Sequence, residues 1–194
     1  MVVTVSLPAV TSRPVPPLFT VPVPSMALSN IISVSPLGRL KWRGQTYRCA
    51  VGRGGIVATK REGDHASPLG CFALRRLLFR ADRIDAPQTG LPVSALSPTD
   101  GWCDAANDVA YNQPVSLPYG ASAESLWRED SVYNVIVVLG HNDSPVVPGC
   151  GSAIFLHVAQ PDYAPTEGCV ALAREDLLVV LNDCDQQTQI CIMA

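Results

Sequence analysis

The sequence predicts a mostly β domain, a sandwich or barrel with one or two short helices. Two observations carry this prediction. Short apolar runs alternate with Gly, Pro and Asp turn signals, and 17 prolines and 14 glycines among 194 residues supply those turns. Hydrophobic residues make up 47% and charged residues 16%, so there is enough apolar surface for one sizeable core and global disorder is excluded. A net charge of −3 argues against a nucleic-acid binder, which needs a dense basic surface. The apolar runs, such as 133–139, are too short to span a bilayer.

Taken in order, residues 1–26 form a proline-rich arm ahead of a domain covering 27–194. Pro8, Pro14, Pro16, Pro17, Pro22 and Pro24 predict an extended, partly polyproline segment. No Lys or Arg precedes Arg13, and Pro8 and Pro14 interrupt the apolar stretch, so the arm is not read as an export signal. Leu18, Phe19, Val21 and Val23 suit packing on the domain better than a solvated linker. Strands are expected at 31–34, 45–51, 71–74, 133–139, 153–158 and 189–193. A helix is expected over 173–182, with Leu177, Leu178 and Leu181 on one face and Glu175 and Asp176 in the first turn. A second short helix is expected over 121–128. The stretch 82–118 carries five prolines without clear periodicity and reads as a long functional loop.

Seven cysteines are present, so a monomer keeps at least one unpaired thiol. None of Cys49, Cys71, Cys103, Cys150, Cys169, Cys184 and Cys191 forms a C-x-x-C pair, which argues against structural zinc. Their disulfide pairing is open. Arg75, Arg76, Arg80 and Arg83 form a local basic cluster, read as a solvated edge or, less simply, as a receptor for substrate carboxylates.

The chemistry concentrates in 151–172. An apolar strand delivers His157, a loop with Pro161 and Pro165 follows, and Thr166-Glu167-Gly168-Cys169 precedes a second apolar run. A thiol nucleophile needs a base to take its proton and donors for the oxyanion. His157 on a rigid strand suits the first need. Gly168 lets the backbone approach a substrate closely, so the Gly168 and Cys169 amides suit the second.

This order of parts resembles the YkuD-type L,D-transpeptidases, the ErfK/YbiS family, which remodel bacterial peptidoglycan. Their signature is a strand His, a loop, then Ser/Thr-x-Gly-Cys and an apolar residue, here His157 and Thr166-Glu167-Gly168-Cys169-Val170. An upstream stretch, Ser67-Pro68-Leu69-Gly70-Cys71-Phe72, resembles the family's early turn before a strand. The resemblance runs from about residue 30 to the C-terminus. It departs in three places: a shorter His-to-Cys loop, Glu167 where many members carry His or Lys, and Ala171 where many carry Arg.

The resemblance implies a YkuD-like β-sandwich or barrel and a catalytic domain that cross-links peptidoglycan stem peptides through a cysteine thioester. Cys169 is then the nucleophile and His157 the general base and later the acid. The Val158 carbonyl orients the imidazole, and the Gly168 and Cys169 amides hold the oxyanion. Thr166 and Glu167 are expected at the substrate, and His141, Asn142 and Asp143 are expected either to line the cleft or to form a polar turn. The departures leave the donor stem position open. The resemblance further implies inactivation by carbapenem-type β-lactams, no metal or organic cofactor, a location in the bacterial cell envelope, and peptidoglycan stems as partners. A monomer is expected. The alternatives are an L,D-carboxypeptidase or related peptidoglycan hydrolase, and a non-catalytic wall-binding module of the same fold. A papain-like peptidase is disfavoured because there Cys normally precedes His.

Overall fold

A computed structural model describes residue 1 and residues 30–194. The proline-rich arm and its proposed packing lie outside the described residues. Among the described residues, fourteen strands and one helix follow in order. They are β1 (Ile31–Ser35), β2 (Arg39–Trp42), β3 (Gln45–Ala50), β4 (Ile56–Val57), β5 (Ser67–Pro68), β6 (Gly70–Phe79) and β7 (Val93–Ala95). Then come β8 (Asp100–Cys103), β9 (Pro114–Ser116), β10 (Ala123–Ser125), β11 (Val135–Leu139), β12 (Phe155–Val158), β13 (Val170–Leu172), α1 (Arg174–Asn182) and β14 (Gln189–Ile192).

Eight strands close on themselves in the order β11-β12-β13-β3-β2-β1-β14-β6, with β6 returning to pair with β11 and β7 branching from β6. The expected mostly β, barrel-like fold is what forms. Closure leaves these strands without a free edge. Inside the ring, Ile32, Leu40, Leu74, Val137, Leu156, Leu172 and Ile190 pack into the main core, each almost fully buried. Helix α1 seals that core with Leu177, Val180 and Leu181. The inward third residue is Val180 rather than the expected Leu178, because 177, 180 and 181 share a face at helical spacing.

Strand β11 is buried along its whole length because both faces are covered. Val135, Val137 and Leu139 point into the barrel. Ile136 and Val138 join a second cluster outside it, with Phe155, Cys169, Trp102, Leu126 and Tyr133. The cover over that outer face is a small antiparallel sheet, β10-β8-β9. Two expectations are corrected here. The segment 121–128 holds strand β10, paired Ala123↔Cys103 and Ser125↔Gly101, instead of a helix. An isolated two-turn helix is marginal, and pairing with β8 outweighs its propensity. The stretch 82–118 is also less irregular than expected, since it contains β7, β8 and β9.

Cys71 and Cys191 lie directly opposite each other on antiparallel β6 and β14 and form a disulfide. Cys49, Cys103, Cys150, Cys169 and Cys184 are free thiols. Among the described residues, no helix is long and apolar enough to cross a membrane.

Candidate active site

His157 sits on β12 between Ile136 of β11 and Ala171 of β13. Alternation along β12 turns Leu156 and Val158 into the barrel and leaves Phe155 and His157 on the outer face. There the imidazole is buried, with the Tyr133 ring edge-on at 5.4 Å. Its Nδ1 lies 2.9 Å from the Val158 carbonyl oxygen. A carbonyl only accepts, so the proton is on Nδ1 and Nε2 keeps its lone pair. Burial pulls the imidazole pKa down to about 4, against the opposing effect of the Val158 bond.

Cys169 ends the loop that joins β12 to its parallel neighbour β13. Thr166 anchors that loop to the 51–53 backbone: its N–H donates to Val51 O at 3.0 Å, and its carbonyl accepts from Arg53 N–H at 2.9 Å. The Thr166 hydroxyl then shapes the turn itself, accepting from Gly168 N–H at 3.2 Å and donating to Cys169 O at 2.6 Å. Gly168 has φ +138°, and a Cβ there would lie 2.9 Å from Ala66 O. Only glycine fits this turn without strain.

The Cys169 sulfur accepts from Phe155 N–H at 3.3 Å and donates to Ala153 O at 3.2 Å. These bonds set Cys169 level with Phe155, two residues before His157 along the strand direction. The two side chains therefore share a face, offset by roughly 7 Å along the strands and one strand spacing across them. Burial pushes the thiol pKa up to about 12, with the Glu124 charge adding to the rise. Near neutral pH the resting pair is a thiol beside a neutral imidazole.

Both groups line one cavity of about 590 Å³, together with Thr166, Glu167 and Ala171. Val158 and Gly168 are not among the lining residues and bear on the site through the Val158 carbonyl at His157 and the Gly168 backbone at Thr166. The cover sheet and the segment before β11 supply groups that sequence reasoning missed: Asp104, Glu124, Arg128 and Tyr133. Tyr133 donates its hydroxyl to Glu124 Oε1 at 2.7 Å. Burial raises the pKa of both groups. Arg128 is held by both oxygens of Asp130, at 3.0 and 2.6 Å. On the opposite side, Glu62 accepts from Ser152 Oγ at 2.8 Å and from Tyr111. These residues are scattered through 62–152 without periodicity. The one available signal was Tyr133, a polar-tipped aromatic heading the apolar run of β11.

His141, Asn142 and Asp143 are not among the residues that line the cavity, and of their two expected roles the polar turn is the one that forms. Their polar atoms are consumed by a turn. Asn142, at φ 48°, donates to Val147 O and Gly151 O, each at 3.0 Å. His141 Nε2 is 3.0 Å from Cys150 O, and Asp143 pairs with Arg75 at 2.7 Å. Asn112 ties this turn to the cover, donating to His141 O and Asn142 O while its Oδ1 accepts from Trp102 and Ala153.

The arginine cluster also lies outside the cavity. Arg80 is buried, pairs with both oxygens of Asp82, donates to Arg128 O, and lies 3.6 Å over the Trp127 ring. Arg83 clamps the carbonyls of Glu129 and Asp130. These cations hold the 127–134 segment, which carries Tyr133. Glu167 stands at the cavity rim, exposed and paired with Arg53 and His65.

The model of the YkuD family, described as the L,D-transpeptidase catalytic domain, matches residues 37–192. Among solved structures, L,D-transpeptidase 3 from Mycobacterium tuberculosis, in complex with a faropenem-derived adduct, is similar over 86% of this chain at 12% identity, with a TM-score of 0.42. This chain spans 60% of the length of that one. No curated protein matches.

Proposed function

Since the chain belongs to the YkuD family of L,D-transpeptidase catalytic domains, we propose that it is a cysteine acyltransferase that cross-links peptidoglycan stem peptides through a thioester on Cys169. One observation carries this reading. A thiol at the end of the loop before β13 and an imidazole on the neighbouring β12, its Nε2 lone pair free, line the same cavity.

A stem peptide enters the cavity, and the thiol turns from Ala153 O toward His157. Nε2 takes the thiol proton as sulfur attacks the carbonyl of an L-configured residue. The Gly168 and Cys169 amides hold the oxyanion once Thr166 Oγ1 releases the Gly168 N–H. The C–N bond to the following residue breaks, and His157 returns its proton to the leaving amine. An amine of a second stem then attacks the thioester, gives its proton to His157 and restores the thiol. A base of this kind contributes about 10²–10⁴-fold to the rate. Ala171 in the cavity wall offers no cation where many relatives carry Arg, which favours a donor position other than the diaminopimelate most common in the family. The Cys71–Cys191 disulfide favours an oxidising compartment, in line with the bacterial cell envelope.

Purified sacculi incubated with the protein, digested and resolved as muropeptides, test the reading. New cross-linked dimers with wild type and none with Cys169→Ala are expected. Shortened stems without dimers would make the enzyme a hydrolase. Unchanged muropeptides with bound protein would make it a wall-binding module.

A further inference from the structure

We propose that Asp104 is the specificity-determining residue of this site and receives a cationic amine carried by a substrate side chain. The proposal rests on Cys169 and His157 being the reacting pair. Asp104 directly follows β8, its backbone N–H bonded to Ser122 O at 3.3 Å, so its side chain is set on a rigid edge of the cover. It lines the cavity that holds Cys169 and His157. Its Oδ1 is buried and has no hydrogen-bond partner among the described residues.

The other carboxylates of the cavity are already engaged. Glu62 is bonded by Ser152 and Tyr111, Glu124 by Tyr133, and Glu167 by Arg53 and His65. The one arginine of the lining, Arg128, is committed to Asp130. Asp104 is therefore the carboxylate in this wall that still lacks a donor. Oδ1 is closed to solvent as it stands, so the unbonded Asp104 side chain has to turn to meet the amine. A buried acceptor left unpaired is costly, so that contact gains more than one at a solvated carboxylate. Among the described residues Glu62 and Asp104 form no ion pair, while Glu167 is offset by Arg53 and Arg128 by Asp130, so the balance of the lining is negative. That balance favours an ammonium over a neutral amide and repels a free carboxylate. A site built around such a contact discriminates strongly against an analogue that lacks the donor.

The test uses one tetrapeptide stem with lysine at its third position, prepared with the Nε amine free or acetylated. Binding is measured by calorimetry to Cys169→Ala, which removes chemistry, and to Cys169→Ala/Asp104→Asn, with thermal melting as the folding control. Turnover is measured with wild type and Asp104→Asn. The free-amine peptide should bind Cys169→Ala at least about tenfold more tightly than the acetylated one. That preference should collapse in the double variant, with the affinity for the acetylated peptide unchanged. Equal affinities for the two peptides, or a preference that survives Asp104→Asn, would overturn the proposal. A binding preference that depends on Asp104 without turnover by wild type would leave Asp104 as the receptor and sink the acyltransfer reading instead.

Discussion

His157 is held neutral by its surroundings, and this has a sign that can be measured. In the unfolded chain its pKa is near the ordinary 6.5, and in the fold it falls to about 4. The unfolded state therefore binds more protons between those values. The penalty is absent above pH 6.5, grows as pH falls, and is complete below about pH 4. Its full size is about 3 kcal/mol. Thermal melts of wild type and His157→Gln at pH 7.5 and 4.5 check this. Wild type should lose more stability on acidification than the variant, and equal losses would contradict the burial argument. Cys169 has the opposite sign, its penalty appearing only as pH rises above 9. At this scale the sequence was informative for Cys169 and His157, which share the cavity, because a strand His and a Gly-Cys turn leave a local pattern. It was uninformative for Asp104, Glu124 and Arg128, which reach the cavity through contacts between distant segments. For His141-Asn142-Asp143 the sequence could not choose between two roles, because polar residues in a turn have the same composition whether they bind substrate or their own backbone.

Among the elements, the turn from Thr166 to Cys169 aims the thiol. It is fixed by the Thr166 hydroxyl and by a backbone angle that suits glycine, with Ala66 O closing the space where a side chain would stand. Gly168→Ala should cost about 1–3 kcal/mol of stability and most of the activity, because the turn must move away from Ala66. Melting and turnover with wild type as reference measure both. A variant with full stability and full activity would show that the turn is not strained. The strands β1, β3, β11, β12 and β14 and the helix α1 were legible, since their apolar periodicities survive in the fold. Strand β10 was not. Its identity comes from pairing with β8, a partner about 20 residues away that no local window contains.

Over the whole molecule, the barrel closes through its last strand. Strand β14 lies between β1 and β6, and the Cys71–Cys191 bridge joins it to β6 across 120 residues of sequence. Removing a bridge over so long a span costs about 2–5 kcal/mol, or roughly 5–15 °C in Tm for a domain of this size. Melting with and without reductant, and of Cys71→Ser, should show that drop. A Tm that ignores both would mean the ladder alone holds β14. The pairing was not legible beforehand, because seven cysteines fit many connectivities. The register that sets these two opposite each other is a property of the closed ring.

The account stands on Cys169 being a nucleophile activated by His157 inside one cavity. Intact-protein mass spectrometry after incubation with meropenem tests this most directly. Wild type should gain the mass of one ring-opened drug molecule. His157→Gln should gain it at least about a hundredfold more slowly, and Cys169→Ala should not gain it at all. An unmodified wild type, or the same adduct on Cys169→Ala, would contradict the account.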